Sequence, residues 1–270
     1  MAEIESPIES VKETVKDRSG LISMGFMDHL EELRKRIINS IAYIAVGFCV
    51  CYYWHEAIFA WIQKPIVTIL AAHKLSTQLV YTNPVDPFNM YLKISLIAGI
   101  FVASPFILYQ VWCFISPGLY KHERRYVGPF MISTVGLFVA GGMFAYKAVF
   151  PAAFGFFFGF NTQFTPMVTI SEYIGLFMTI VLGLGVVFEM PVLVFFLALF
   201  GIVSPGWMWR NLRYAILGIF IVAGAIAPTP DIISMCTFAA PMLMLYIFSI
   251  GVAYMVHPKQ RKKRELNSQS

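Results

Sequence analysis

Along this chain the polar residues are gathered into short intervals, and the apolar runs between them are too long to be the buried faces of soluble helices. Six runs stand out, approximately Ile37–Trp54, Met90–Trp112, Val127–Phe150, Tyr173–Phe200, Leu212–Ala227 and Ile232–Val256, each closed by charge, proline or glycine. Crossing a hydrocarbon core of about 30 Å takes roughly 20 helical residues, a length these runs meet or approach. They are continuous rather than alternating, which predicts helices and not the strands of a barrel. The expected fold is all-α: a polytopic membrane protein with six transmembrane helices in one domain, residues 24–257. A polar tail, 1–23, precedes it and a basic tail, 258–270, follows. The fifth run has sixteen residues. It reaches only about 24 Å, so either the bilayer thins around it or its flanks supply the difference.

Composition agrees with this reading, since 58% of residues are hydrophobic and 13% charged, where a soluble domain carries nearer a quarter charged. Charge then sets orientation. Of the twenty Lys and Arg, sixteen fall in the N-terminal segment up to Arg36, the second and fourth connections and the C-terminal tail. Lys64 and Lys74 lie on the other side, while Lys93 and Lys147 stand inside runs near their outer ends and can extend to the interface. Basic residues stay cytoplasmic, which predicts both termini in the cytoplasm. The net charge of +5 is thereby topological, and no nucleic-acid partner is expected. Residues 1–23 hold no apolar core of the signal-peptide kind and read as a flexible cytoplasmic tail.

The outer connections are long and apolar. "AIFAWIQKPIVTIL" suits a helix lying at the interface around Trp61, ahead of a turn-rich "NPVDPF". In "PAAFGFFFGFNTQFTPMVTISE" the phenylalanines are either interfacial anchors or a packed lid, with anchors the preferred reading. Catalytic chemistry finds no foothold. Cys49, Cys51, Cys113 and Cys236 sit in or at the ends of apolar runs as small hydrophobes. The five histidines are scattered through the connections, and no catalytic, metal or cofactor motif is present.

Three acids need explaining. In "MDHLEELRKR", Glu31 with Lys35 and Glu32 with Arg36 are i,i+4 pairs in the stabilising order, enough to account for an anchored helix start. In "FISPGLYKHERR", topology explains the bases but not Glu123. Two carboxylates on one cytoplasmic surface suit a guanidinium-bearing partner, because arginine offers a planar fork that a carboxylate holds bidentately. Glu189, in "LGLGVVFEMPVLVFFLALF", is the costliest. A charge near the bilayer centre costs about 2.5–3.5 kcal/mol on insertion scales, so it should face protein or a water-filled groove. Pro191 two residues later removes a backbone donor and loosens the helix nearby.

The stretches "HLEELRKR" (29–36), "SPFILYQVWCFISPGLYKHERR" (104–125), "FEMPVLV" (188–194) and "PTPD" (228–231), in this order and spacing, resemble the TatC family of the twin-arginine protein translocase. The resemblance implies a six-helix, cup-shaped protein of the cytoplasmic (inner) membrane. Such a protein binds twin-arginine signal peptides of folded precursors. It assembles with TatA-like and TatB-like single-span proteins and with further copies of itself, within the lipid bilayer, for translocation driven by the proton-motive force. Carried onto this chain, it gives Glu32 and Glu123 as acids receiving the arginine pair, with Leu33, Arg34, Arg36, Phe114, Pro117 and Lys121 in the same site. It gives Glu189 and Pro191 as a partner-binding groove, and Pro65 and Asp231 as outer-side positions of functional or structural weight. The alternative is a secondary transporter of protons or a small solute, which also places an acid beside a proline. Against it, no internal repeat links the two halves and one acid alone lies deep. An intramembrane enzyme would need a nucleophile and base, or a metal pair, at membrane depth, and none is visible.

Overall fold

The computed structural model describes residues 26–115, 127–160, 166–199, 201–227 and 232–256, and among them every regular element is helical. The elements are α1 (Phe26–Tyr53), α2 (His55–Ile62), α3 (Lys64–Ala72), α4 (Asp86–Ile115) and α5 (Val127–Phe144). A π-helical turn, Ala145–Val149, joins α5 to α6 (Phe150–Phe160), and α7 (Ile170–Val187), α8 (Met190–Leu199), α9 (Pro205–Arg210), α10 (Leu212–Ile226) and α11 (Ile232–Val256) follow. Five stretches are long and apolar enough to cross a membrane: His29–Tyr53, Asp86–Phe114, Met131–Gly159, Ile170–Leu199 and Ile232–Val256. The shorter apolar α10 is the sixth, and the count matches the six runs. The expected N- and C-terminal tails lie outside the described residues. Below, the N face is the one carrying the start of α1.

Prolines shape these helices, and a nearby hydroxyl repairs two of the gaps they open. Pro105 stands inside α4 and cannot bond the carbonyl four residues back. That carbonyl, Phe101 O, accepts instead from Ser104 Oγ at 2.7 Å, so the helix continues. Pro65 in the first turn of α3 deprives Trp61 O in the same way, and here the donor is remote: Tyr146 Oη at 2.8 Å, its ring stacked on Trp61. Tyr173 Oη donates to the next carbonyl, Ile62 O, at 2.6 Å. The single interface helix expected around Trp61 is thus two helices, α2 and α3, with the joint between them fastened to the third and fourth spans.

Phe154, the first phenylalanine of this connection, is not an interfacial anchor. Phe150 is wholly buried and Phe154 nearly so, their rings packed on Tyr173 and Phe177, while α6 lies against α3. In a helix that continues straight from the third span, positions 150, 154 and 158 fall on one face. That face meets protein, so in the described part of the connection the lid alternative holds. Backbone bonds tie the two connections on this side further, Val80 N to Val168 O at 3.1 Å and Ile170 N to Val80 O at 2.8 Å.

α4 is the central wall, with α1, α2, α5 and α7 packed against it. α1 is peripheral, since 11% of its apolar window is buried against 39–50% in the other long spans. Its seam with α4 is a backbone contact: a Cβ on Gly99 would stand 2.6 Å from Phe48 N, and one on Gly47 2.6 Å from Gly99 O. Small residues at such a crossing allow the close van der Waals approach that drives helix association in lipid, where no hydrophobic effect operates between helices.

Candidate functional site

From that seam toward the N face, α1 and α4 run antiparallel, and matched side chains meet in order. Tyr43 stacks on Phe106 at 5.3 Å between ring centroids, Arg36 reaches Gln110, and His29 stacks on Phe114 at 4.4 Å. Phe106, Gln110 and Phe114 recur every four residues, so one face of α4 meets α1 throughout. Within this ladder Arg36 donates Nη2 to Glu32 Oε1 at 3.0 Å and Nη1 to Gln110 Oε1 at 3.1 Å. The side chains of Arg36 and Glu32 are 29% and 16% exposed, so water screens the pair only in part. One polar atom on each remains buried without a hydrogen-bond partner, Glu32 Oε2 and Arg36 Nε.

The Glu32–Arg36 pair expected from spacing therefore forms, but it engages one carboxylate oxygen and leaves the other orphaned. A buried acceptor left unmade costs about 1–3 kcal/mol, and such an atom is suited to receive a second guanidinium. The companion pair expected from the same spacing, Glu31 with Lys35, does not form, because both side chains point into the exposed surface. Leu33 is half-buried and Arg34 exposed. Glu123, Pro117 and Lys121 lie outside the described residues. Gln110 was not singled out from the sequence, although the signal was there: a lone amide in the apolar run before Trp112. It is 4% exposed and aligns the guanidinium that aligns Glu32.

Glu189 stands at a break in the fourth span. α7 stops at Val187, Glu189 N donates back to Val186 O at 3.1 Å, and α8 restarts at Met190 with Leu193 N on Glu189 O at 2.9 Å. Pro191, buried, is the second residue of α8, where its missing N–H is no loss. Its effect is to end α7, which leaves Glu189 at the break between the two helices. The carboxylate enters a cavity of about 380 Å³ between α4, α5 and α8, walled by Leu108, Trp112, Met131, Val192 and Phe196. Glu189 Oε1 is buried there without a partner. Trp112 packs on Phe196 with ring centroids 4.9 Å apart and planes tilted by 43°, and both line the cavity. The positions of α4 facing this cavity, Leu108, Val111 and Trp112, alternate with those facing α1, so one helix carries both constellations on different faces.

On the opposite face, Pro65 is half-buried at the α2–α3 joint. Asp231 lies outside the described residues. No disulfide joins Cys49, Cys51, Cys113 and Cys236.

The family model described as Sec-independent protein translocase protein (TatC) matches residues 28–241. A Sec-independent protein translocase protein TatC from Koribacter versatilis is 64% identical over 247 residues, covering 92% of this chain and 91% of that protein. The same-named protein of Carboxydothermus hydrogenoformans is 38% identical over 238 residues, 88% of this chain and 96% of its own length. A crystal structure of a twin-arginine translocase receptor, TatC, aligns with a TM-score of 0.76 at 33% identity, covering 84% of this chain and 99% of that one. Match to the family model over most of the chain, close relatives along nearly their full lengths and a shared helical architecture agree: this chain belongs to the TatC family, multi-pass membrane components of the twin-arginine protein translocation system.

Proposed function

We propose that this protein is the signal-peptide receptor of a twin-arginine export system. In this reading it lies in the cytoplasmic membrane with its N face, and the tails 1–23 and 258–270, in the cytoplasm. The observation that carries the proposal is the orphaned Glu32 Oε2, on a carboxylate whose other oxygen is bonded by Arg36, itself anchored to Gln110, in the α1–α4 seam. A precursor guanidinium supplies the missing donor, and Glu123, in the connection that follows α4, supplies a second carboxylate for the second arginine. The basic residues on this face set the orientation. Membranes carrying the native protein test both parts together. A twin-arginine signal peptide should bind vesicles with the cytoplasmic side out and not right-side-out vesicles, and a twin-lysine peptide should bind more weakly, since an ammonium cannot form the bidentate fork. Equal binding of the two peptides, or binding from the outer side, would overturn the assignment.

The Glu189 face is proposed to dock a transmembrane helix of a small single-span partner, of the TatA-like or TatB-like kind, which packs across the mouth of the cavity and inserts a side chain into it, during translocation that draws on the proton-motive force. The cavity walls are apolar apart from Thr134 and Glu189 itself, and the orphaned Glu189 oxygen asks for a hydrogen bond from whatever enters. Glu189→Ala should leave peptide binding within about twofold of native while lowering partner co-purification and export, a split expected when sites on different faces are independent. Glu189→Gln, which keeps hydrogen bonding, should be milder. Loss of peptide binding in a folded Glu189→Ala protein would place this residue in the other site.

A further inference from the structure

A second cavity, of about 470 Å³, lies toward the opposite face, beneath α2 and between α4, α5 and α7. Its walls include Ile58 and Trp61 of α2, Ile97 and Phe101 of α4, Tyr146 and Val181. Nothing in the signal-peptide or partner readings uses it. Its polar groups are already committed, since the Tyr146 hydroxyl is spent on Trp61 O. A cavity without polar partners does not hold ordered water. Val102 and Val139 line it yet are exposed, so it opens through a window between α4 and α5, inside two membrane spans. The medium outside that window is lipid.

Size and charge narrow the occupant. Three turns of a helix of about 10 Å diameter fill on the order of 1,200 Å³, so a partner helix does not fit. Along α4 the wall positions are Ile97, Ala98, Phe101 and Val102. Lys93 continues this face one turn outward, in the position i,i+4 to Ile97. From Lys93 to Val102 is about 13–14 Å of helix, close to the roughly 15 Å half-thickness of the hydrocarbon core, and so to one leaflet. Lys93 makes no ion pair among the described residues, and Lys64, just past α2, is exposed. Glu56 is the acidic group on α2, also exposed. Trp61, 42% exposed at the rim, is a residue type that settles at headgroup level.

We propose that this cavity is a phospholipid site, in which one acyl chain fills the space under α2 and an anionic headgroup is held at its outer rim by Lys93. The bound chain takes the place of packing that the protein omits between α2, α4 and α5.

The test uses Trp61 as reporter in a full-length protein with Trp54, Trp112, Trp207 and Trp209 changed to phenylalanine, reconstituted in phosphatidylcholine nanodiscs. Chain-brominated phosphatidylglycerol and chain-brominated phosphatidylcholine are added at the same dilute fraction. Quenching of Trp61 by the phosphatidylglycerol should exceed that by the phosphatidylcholine by about fivefold, the selectivity of a lysine near an anionic lipid surface. Lys93→Gln should remove the difference between the lipids, and Ala98→Phe, which fills the cavity, should reduce quenching by both. Equal quenching by the two lipids with Lys93 intact overturns the proposal whatever the variants do. So does phosphatidylglycerol-selective quenching that Ala98→Phe leaves unchanged, since the chain then lies elsewhere.

Discussion

Gly99→Ala is expected to detach α1 from the bundle. The added methyl would stand 2.6 Å from Phe48 N and 2.9 Å from Gly47 C, both backbone atoms that no rotamer change can move aside. α1 must therefore shift bodily, and it has little else to hold it, since it packs chiefly on α4. Overpacking of this kind costs about 1–3 kcal/mol and more where the surroundings are stiff. Gly47→Ala should behave alike, its Cβ meeting Gly99 O at 2.6 Å. Gly136→Ala in α5 is the control: a Cβ there meets nothing within 4 Å, and alanine in an open helical position is worth about 0.5–1 kcal/mol over glycine. Thermal unfolding in detergent, with disulfide formation between Tyr43→Cys and Phe106→Cys as a reporter of the seam, should rank Gly136→Ala at or above native and both seam variants well below it. A Gly99→Ala protein as stable as Gly136→Ala, with the crosslink intact, would show that the two backbones do not touch.

Glu32→Gln is expected to lower affinity for a twin-arginine signal peptide tenfold to a hundredfold. The substitution keeps size and the Arg36 contact but removes the charge that a second guanidinium would meet in a site only 16% exposed. Hydrogen bonds to charged groups are worth about 1.5–3 kcal/mol, and about 1.4 kcal/mol is one decade of affinity. The neighbouring Glu31 is the same charge on the same helix turn but exposed and unpaired, so Glu31→Gln should stay within about twofold of native, as screened surface charges do. Glu32→Gln should also narrow the preference for twin-arginine over twin-lysine peptides, as should Glu123→Gln. Equal losses from Glu31→Gln and Glu32→Gln would mean that the surface field attracts the peptide and no fork is formed at Glu32.

The spans were legible because a bilayer permits so few backbone solutions that length and continuity suffice. What sequence could not show were contacts between helices. The phenylalanines after Phe150 carry the same composition whether they face headgroups or protein, and only the uninterrupted passage through the π-helical turn into α6 decides it. Nothing in the local sequence of Tyr146 and Tyr173 points to the carbonyls at the α2–α3 joint that their hydroxyls reach. At the candidate site, the i,i+4 rule found Glu32 with Arg36, but Gln110 enters across 74 residues, a distance local spacing cannot bridge. The break at Glu189 was foreshadowed by Pro191, while the cavity it opens into required α4 and α5. The family motifs supplied what periodicity could not, and membership displaces the solute-transporter alternative.

The peripheral position of α1 also bears on the order in which this protein is made. Gly99 follows Gly47 by 52 residues, so at roughly 5–20 residues per second α1 waits about 3–10 s for the other half of its seam. During that interval it is a lone span with its backbone satisfied internally and Arg34, Lys35 and Arg36 holding its start at the membrane surface. The Glu32–Arg36 bond needs nothing beyond α1 itself, so the carboxylate is already paired while the helix is alone. When α4 arrives, Gln110 docks onto a guanidinium already in position. Recognition and assembly thus share a seed, and α1, made before its partner in the seam, carries it.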